Sequence, residues 1–237
     1  MSRAKKQKPL NRILRNALRI IIKSLFILLL LSLVQVILLR YINPPFTARM
    51  AWEWLQSTVG TKHYLRPVYR WQSLGSISPC MIKAVQAGED QRFLTHHGFD
   101  FTEINEALRE IVTSGRVRGA STISMQVART VFLWPGRSWV RKGAEAYYTL
   151  LLELLWSKAR IIEVYLNTVD WGQGVMGVEA AARKYFRRKS SEITAPQAAL
   201  LAAILPSPHK WSPIRPNERV KRRQKRILKD MDKMPMI

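Results

Sequence analysis

Two adjacent acidic residues followed by two histidines form the densest group of reactive side chains in the sequence. Glu89 and Asp90 are separated by five residues from His96 and His97. Such a group suits acid–base catalysis, metal binding or a solvated helix end. The histidines lack the i, i+4 spacing of a helical zinc pair, so metal binding by them is not expected. Glu89 falls at the C-terminal end of a predicted helix, where the negative end of the helix dipole raises the pKa of a carboxyl group, and this placement favours a general base.

A second group of polar side chains follows Gly119. Ser121 and Thr122 are small hydroxyl residues placed before an apolar helical pattern, and Gln126 and Arg129 lie within that pattern. A helix N-terminus of this kind offers free backbone N–H groups that bind a phosphate. The same residues also serve as ordinary helix caps, so the pattern leaves both interpretations open.

The third group is mostly basic. Arg141 and Lys142 precede Glu145 by four and three residues, so on a helix all three side chains share one face. Arg137 lies shortly before them. The arrangement suits a site that binds phosphate oxygens, and it equally suits an exposed, salt-bridged helix start that binds no ligand.

The overall charge indicates anionic partners. The 237 residues include 39 Lys and Arg against 16 Asp and Glu, a formal net charge of +23. Nucleic acid, anionic lipid and phosphate-bearing substrates are therefore the candidate classes. The basic stretch from Arg215 to Lys229 is interpreted as a solvated helix face.

A single cysteine, Cys80, excludes an internal disulfide and a cysteine-rich metal site.

The N-terminal part of the chain predicts a membrane anchor. Residues 1–19 form a basic tail, and residues 20–40 are almost wholly apolar, with no charge between Ser24 and Leu39. About 20 apolar residues suffice to cross a bilayer as a helix. The positive-inside rule places the tail in the cytoplasm and the chain after Arg40 outside. A cleaved signal peptide is the alternative, but no Ala-x-Ala site follows the apolar run.

Residues 46–237 are interpreted as one domain, because no repeat, low-complexity tract or flexible linker divides them. Their apolar periodicity predicts that this domain is mainly helical. The patterns also predict a tight turn at residues 171–174 and one short hairpin near residues 64–71. The apolar stretch 132–135 either enters the outer leaflet of the membrane or is ordinary core. The predicted helical segments run from Ser78-Pro79 to about Gly88, from Phe101 to Thr113, from about Lys142 to Leu166 as one long pattern, and from a capping box at Thr194 and Gln197 to Leu205.

Four ordered motifs carry a resemblance to a known family. They are Glu-Asp-x-x-Phe-x-x-His-x-Gly from Glu89, Gly-x-Ser-Thr-Ile-Ser-x-Gln from Gly119, Arg-Lys-x-x-Glu from Arg141, and Lys-x-x-Ile-Ile-Glu-x-Tyr-Leu-Asn from Lys158. In this order and at these separations they resemble the peptidoglycan glycosyltransferases. This domain family stands at the front of bifunctional penicillin-binding proteins and alone in monofunctional biosynthetic enzymes. The match covers roughly residues 76–213.

The resemblance implies a reaction and assigns roles to residues. A lipid II molecule would be the acceptor, the growing glycan strand the donor, and undecaprenyl diphosphate the leaving group, so that a β-1,4 bond forms. Glu89 matches the family's catalytic base, which takes the proton of the acceptor GlcNAc 4-hydroxyl, and Glu145 matches its second essential carboxylate. The other matched side chains would shape the substrate site, and they are Asp90, Phe93, His96, Ser121, Thr122, Gln126, Arg129, Arg141 and Lys142.

A diphosphate leaving group needs charge neutralisation more than a proton, which explains the cations near the site. Arg129, Arg141 and Lys142 are suited to hold phosphate oxygens. Glu145 either orients those cations or helps to hold a divalent ion such as Mg²⁺ or Mn²⁺, and no cofactor is otherwise required. Where the family usually has Lys-Asn after the second motif, this chain has Arg129-Thr130, and arginine is not equivalent to lysine at a tight phosphate site.

The resemblance also implies a fold, a location and partners. The expected fold is mainly α and lysozyme-like, with two lobes and a cleft, preceded by one transmembrane helix. The expected location is the cytoplasmic (inner) membrane, with a periplasmic catalytic domain that meets lipid II and the nascent glycan strand. Association with other cell-wall synthases or division proteins stays open, and no nucleic acid partner is expected. No Lys-Thr-Gly accompanies the two Ser-x-x-Lys matches, so no transpeptidase activity is expected.

Two alternatives stand beside this interpretation. A lysozyme or lytic transglycosylase shares the fold type and a glutamate, but it does not need the Arg/Lys group that a diphosphate donor demands. A membrane-tethered binder of nucleic acid or anionic lipid is suggested by charge alone, without a nucleic-acid-binding motif. Product size distinguishes the glycosyltransferase from the lytic enzyme, since the first lengthens glycan and the second shortens it.

Overall fold

The computed structural model describes residues 7–59, 69–115, 119–136 and 138–237, with side chains from residue 12 onward. It divides into two compact units, Met1–Ile42 and Asn43–Ile237. The described part of the first unit is one helix, α1 (Gln7–Tyr41).

Helix α1 is long and apolar enough to cross a membrane. Its segment Arg12–Tyr41 spans 30 residues, and most of its large apolar side chains are exposed. A bilayer stabilises such a helix, because the apolar surface meets lipid and the backbone hydrogen bonds are internal. The predicted span 20–40 lies inside α1. The helix begins earlier, at Gln7, so the described part of the basic tail continues the same helix.

The regular secondary structure of the second unit is almost entirely helical. In its described residues nine α-helices and two single-turn 3-10 helices are accompanied by one hairpin of two short strands, β1 (Asp170–Gly172) and β2 (Val175–Met176). The helices are α2 (Ala48–Val59), α3 (Pro79–Glu89), α4 (Phe101–Ser114), α5 (Ile123–Phe132), α6 (Trp139–Leu155), α7 (Lys158–Thr168), α8 (Val178–Phe186), α9 (Ala195–Ile204) and α10 (Glu218–Met231). The prediction of a mainly helical fold is confirmed, and its division into two lobes stays a prediction.

Two groups of helices form the core of this unit. The largely buried α9 packs against α3 and α10, whereas α5 packs against α6 and α7. Ala198 and Ala202 of α9 have no exposed surface, and their small side chains let the neighbouring helices approach closely. Gly88 on α3 permits a similar approach, since a Cβ there would lie 3.2 Å from Ile227 Cδ1 on α10. Helix α10 is therefore held against the C-terminal end of α3.

Helices α9 and α3 begin in different ways. Helix α9 starts with the predicted capping box, in which Gln197 Oε1 accepts from the backbone N–H of Thr194 at 3.1 Å. Helix α3 starts at Pro79 as predicted, but Ser78 does not cap it. The Ser78 hydroxyl instead donates to the Ile193 carbonyl at 2.7 Å, because the segment before α9 packs beside it.

The predicted long helix over residues 142–166 is wrong in one respect, since it is two helices, α6 and α7. Trp156 and Ser157 between them are extended. Ser157 Oγ accepts from the backbone N–H of Arg160 at 3.2 Å and so caps a new helix. Trp156 is 5% exposed, and its packing in the core overrides the continuous helical pattern.

The predicted tight turn at residues 171–174 is confirmed as the β1–β2 hairpin. Gly177, directly after the hairpin, has a φ of 81°. A Cβ at this position would lie 2.5 Å from the Asn167 carbonyl oxygen, so the close return of the chain onto α7 requires glycine.

Two other local predictions have different outcomes. The hairpin predicted near residues 64–71 falls mainly on residues 60–68, which lie outside the described part of the chain, and residues 69–71 form no strand. In the apolar stretch after α5, Leu133 is 3% exposed and belongs to the core, whereas Trp134 is 44% exposed. Entry of Leu133 into the membrane is therefore wrong, and the prediction for Trp134 stays open.

Candidate active site

Glu89 is the last residue of α3, and two other helices hold its carboxylate. Gln126 of α5 donates from Nε2 to Oε2 at 3.0 Å, and Arg223 of α10 donates from Nη2 to Oε1 at 2.9 Å. The Glu89 side chain is 13% exposed. One carboxylate oxygen therefore meets a neutral donor and the other a cation, in a largely buried place.

Burial raises the pKa of Glu89 above its ordinary value. Arg223 opposes this rise through its charge, and the hydrogen bonds from Gln126 and Arg223 and the charge of Arg129 oppose it further. The net direction is upward, which suits a general base. The predicted position at a helix C-terminus is confirmed, and burial is the main cause of the raised pKa.

The neighbouring carboxylate, Asp90, points into the protein, and its side chain is 3% exposed. Its Oδ2 accepts from the backbone N–H of Ile123, the first residue of α5, at 2.9 Å. His96 Nε2 lies 2.9 and 3.0 Å from its two oxygens. Asp90 thus joins the end of α3 to the start of α5, and it shapes the site from within rather than from the surface.

His96 and Phe93 are buried in the loop that follows. His96 Nδ1 accepts from the backbone N–H of Gly98 at 3.1 Å, so the ring proton lies on Nε2 and is donated to Asp90. Phe93 has no exposed surface, and Lys158 Nζ lies 4.5 Å from its ring centroid. Lys158 also donates to the His96 carbonyl at 2.7 Å. The buried side chains of Phe93 and His96 therefore stabilise this loop from its interior side.

The protein's own side chains cap the N-terminus of α5. Thr122 Oγ1 accepts from the backbone N–H three residues ahead at 3.2 Å and donates to the Gly98 carbonyl at 2.6 Å. Because Asp90 binds the N–H of Ile123, a carboxylate already occupies this helix end. The capping interpretation is confirmed for Thr122. A phosphate bound at the same helix end would lie beside the Asp90 carboxylate, and the two negative charges would repel each other. Ser121 is half-buried next to the cap.

Gln126 connects Glu89 to a second buried polar group. Its Oε1 accepts from the Tyr165 hydroxyl at 3.3 Å while its Nε2 donates to Glu89, so the amide has one orientation. Burial holds the pKa of Tyr165 well above its ordinary value, so the hydroxyl stays protonated and donates. Arg129, one turn further along α5, is exposed, and its charge acts on Glu89 through space.

Glu145 of α6 forms the second acidic centre, together with two cations. Arg141 Nη1 donates to Oε2 at 2.9 Å, and Lys142 Nζ donates to Oε1 at 2.6 Å. The Glu145 side chain is 1% exposed, that of Arg141 10% and that of Lys142 46%. The predicted shared helix face is therefore confirmed, with Lys142 as its accessible member. Arg137 lies outside the described residues.

The donor set at Glu145 does not fit a divalent ion. Both carboxylate oxygens already accept from cations, whereas Mg²⁺ and Mn²⁺ bind carboxylate oxygens that are available for coordination. Across residues 12–59, 69–115, 119–136 and 138–237, no group of three or more His, Cys, Asp or Glu side chains is close enough to hold a metal. The geometry fits the other alternative, in which Glu145 orients the cations.

Arg223 is a site residue that the sequence interpretation missed. It belongs to the basic stretch that was assigned to a solvated helix face, yet its side chain is only 19% exposed. The sequence spacing contained a signal for this position, because Arg223 lies three residues after Val220 and four before Ile227, and both of these apolar residues are buried. An arginine on the apolar face of a helix indicates an acidic or carbonyl partner inside the protein.

The chain is similar to known proteins over most of its length. A family model described as Transglycosylase matches residues 59–232. A biosynthetic peptidoglycan transglycosylase of Caulobacter vibrioides is 43% identical over 219 residues, which cover 92% of this chain and 93% of the relative. One of Pseudomonas aeruginosa is 45% identical over 221 residues, covering 92% and 94%, and one of Rhodospirillum centenum is 46% identical over 192 residues, covering 81% and 80%. The matched range contains both acidic centres and Arg223.

Asp90→Asn and His96→Gln, made singly and together, are expected to lower stability in a non-additive way, because the two side chains share one buried contact. A buried group left unsatisfied costs about 1–3 kcal/mol, and contacting residues couple by about 0.5–3 kcal/mol. The measurement is denaturant unfolding of the purified protein in detergent. His97→Gln changes an exposed histidine next to His96 and is the matched control, with stability nearly unchanged. Additive losses in the double variant would contradict the shared contact.

Proposed function

Because this chain belongs to the transglycosylase family, we propose that it is a membrane-anchored enzyme that polymerises lipid II into β-1,4-linked glycan. Peptidoglycan transglycosylase activity follows from the family membership, and the substrate and residue roles are the proposal. The relatives are named biosynthetic transglycosylases, which supports strand synthesis as the direction of reaction. The observation that carries the proposal is the Glu89 carboxylate, which is largely buried, has a raised pKa and is held by Gln126 and Arg223.

Glu89 acts as the general base on the acceptor. Its carboxylate takes the proton of the GlcNAc 4-hydroxyl of lipid II while that oxygen forms a bond to C1 of the terminal MurNAc of the growing strand. The bond from C1 to the phosphate oxygen breaks, undecaprenyl diphosphate departs, and the configuration at C1 changes from α to β. A raised pKa strengthens the base, and the donors from Gln126 and Arg223 direct the carboxylate.

Cations of α5 and α6 stabilise the departing diphosphate. Arg129 and Lys142 are exposed and accessible to phosphate oxygens. Arg141 is fixed by Glu145, and its buried Nε–H has no acceptor in the described part of the chain. Preorganised cations of this kind stabilise developing negative charge without reorganisation during the reaction. In this mechanism Glu145 orients the cations, and no step depends on a divalent ion.

Glycan cleavage is the competing function. A glycosidase of the two-carboxylate type needs a second carboxyl group that acts as nucleophile or activates water. The Glu145 side chain is 1% exposed, and both of its oxygens accept hydrogen bonds from cations. It is therefore poorly placed for either role, which supports synthesis over cleavage by a two-carboxylate mechanism.

Glu89→Gln is expected to reduce glycan polymerisation from lipid II by at least about 100-fold, since a general base contributes about 10²–10⁴ to a rate. The purified full-length protein is incubated with lipid II in detergent, and the products are resolved by size. Glu218→Gln makes the same change at a carboxylate that is 76% exposed, and this matched control keeps wild-type activity. Long glycan from folded Glu89→Gln would exclude Glu89 as the base. Cleavage of pre-made strands by a wild type that makes no polymer would favour the hydrolytic function.

Lys142→Gln is expected to lower kcat/KM for lipid II about 10- to 100-fold, because a hydrogen bond to a charged group contributes about 1.5–3 kcal/mol. Steady-state polymerisation at constant ionic strength measures the effect. Lys210→Gln removes the same charge at another exposed position and serves as the control. An equal loss in both variants would show a general effect of net charge rather than a phosphate contact at Lys142.

The proposed location is the inner membrane, with the N-terminus in the cytoplasm and residues 46–237 in the periplasm. The apolar surface of α1 and the basic residues that precede its apolar segment support this orientation. Alkaline phosphatase joined after Ile237 is expected to be active in cells, whereas green fluorescent protein at the same position stays dark. The reverse pattern of the two fusions would place the domain in the cytoplasm and contradict the proposed substrate access.

A further inference from the structure

We propose that Arg223 is a positioning residue for Glu89, whose guanidinium keeps the carboxylate ionised and directed at the acceptor hydroxyl. The proposal rests on the role of Glu89 as general base and adds a residue of the C-terminal helix α10 to the site. Arg223 acts through Glu89 and requires no contact with the substrate.

A single amino group of Arg223 contacts two features of the α3 C-terminus. Nη2 donates to the Glu89 carboxylate at 2.9 Å and to the Gly88 carbonyl at 2.7 Å. Carbonyl groups at a helix C-terminus lack helical partners and form the negative end of the helix dipole. Arg223 therefore neutralises both the helix end and the carboxylate that is attached to it.

The second oxygen of Glu89 is held from another direction. Gln126 donates to Oε2 at 3.0 Å, and Tyr165 fixes the Gln126 amide through a bond of 3.3 Å. Donors from α5 and α10 thus hold the two oxygens separately, which restricts rotation of the carboxylate plane. A fixed base presents one orientation to the acceptor, and proton transfer over hydrogen-bond distance depends on such alignment.

The packing of α10 determines where Arg223 lies. Val220, Ile227 and Met231 are buried on the same side of the helix, which packs against α3 and α9. At the contact with α3, the absence of a side chain at Gly88 leaves room for Ile227. The Arg223 side chain is 19% exposed, and burying a guanidinium costs free energy that its pairing with a carboxylate offsets. The fold therefore delivers this charge to the base from a segment distant in sequence.

The charged and titratable groups around Glu89 lie on several elements. Arg223 on α10 and Arg129 on α5 act on Glu89, whereas Glu89 and Asp90 act on Tyr165 of α7, and Arg226 acts on Arg223 from within α10. Burial raises the pKa of Glu89, and the charge of Arg223 is the largest influence in the opposite direction. Removal of this charge moves the pKa of Glu89 further up, so the base becomes protonated at pH values where the wild type is ionised.

The test compares the pH dependence of lipid II polymerisation by the full-length wild type, Arg223→Gln and Arg223→Lys. An opposite charge at this distance shifts a carboxyl pKa by about 1–3 units. The acidic limb of kcat/KM is therefore expected to move upward by about that amount in Arg223→Gln. Because the base must be ionised, activity of this variant recovers as the pH rises through the new limb. Arg223→Lys keeps the charge and keeps a limb close to that of the wild type.

Arg222→Gln is the matched control, because it removes an arginine that is adjacent in sequence but exposed on α10. Its acidic limb is expected to coincide with that of the wild type. A loss of activity in Arg223→Gln that is the same at every pH, with the limb unmoved, would overturn the proposal and leave Arg223 a purely structural role. Equal limb shifts in Arg222→Gln and Arg223→Gln would overturn it as well.

A second measurement does not depend on catalysis. The infrared band of a protonated carboxyl group that is present in the wild type and absent in Glu89→Gln reports the pKa of Glu89 directly. In Arg223→Gln this band is expected to titrate at higher pH than in the wild type, and titration at the same pH would overturn the proposal. If the wild type makes no glycan, the proposed function fails, and this titration still decides whether Arg223 controls the ionisation of Glu89.

Discussion

The buried carboxylate of Asp90 is the constraint on which the candidate site depends. It binds the first N–H of α5 and the His96 ring, so the end of α3 and the start of α5 have one relative position. A buried carboxylate without these donors would be costly, so this junction resists loosening. Glu89 directly precedes Asp90, and Gln126 lies one turn inside α5. The same junction therefore places the Gln126 amide against the Glu89 carboxylate.

Glu89 and Asp90 are adjacent in the chain but lie in opposite electrostatic surroundings. Asp90 receives donors from a helix N-terminus and an imidazole, which suits a permanently placed anion. Glu89 lies at a helix C-terminus in a largely buried place, where burial makes its ionised form costly. Arg223, Gln126 and Arg129 offset only part of that cost. Different surroundings for neighbouring carboxylates separate a structural role from a proton-transfer role, as in other enzymes with paired acids.

The third carboxylate, Glu145, lies in surroundings that differ from those of both Glu89 and Asp90. Its two oxygens accept from Arg141 and Lys142, so its charge holds these two cations in place. Oriented cations suit a departing diphosphate, whereas a two-carboxylate glycosidase requires a second carboxyl group that is available as nucleophile or base. In the proposed mechanism the three carboxylates account for the shape of the site, for proton removal and for leaving-group stabilisation, in a chain whose relatives are named biosynthetic peptidoglycan transglycosylases.

Sequence alone determined the features that depend on neighbours along the chain. The start of α3 at Pro79, the place of Glu89 at its end and the apolar segment of α1 follow from periodicity and from the preference of proline for the first helical turn, which act within a few residues. The tertiary structure decided the break at Trp156, the burial of Leu133 and the pairing of Glu89 with a residue 134 positions away. A helical pattern shows which face of α10 is apolar, but it does not show which helix that face meets. Only the packing of α10 on α3 converts one arginine of a basic stretch into part of the site, because the charge acts where the folded chain places it.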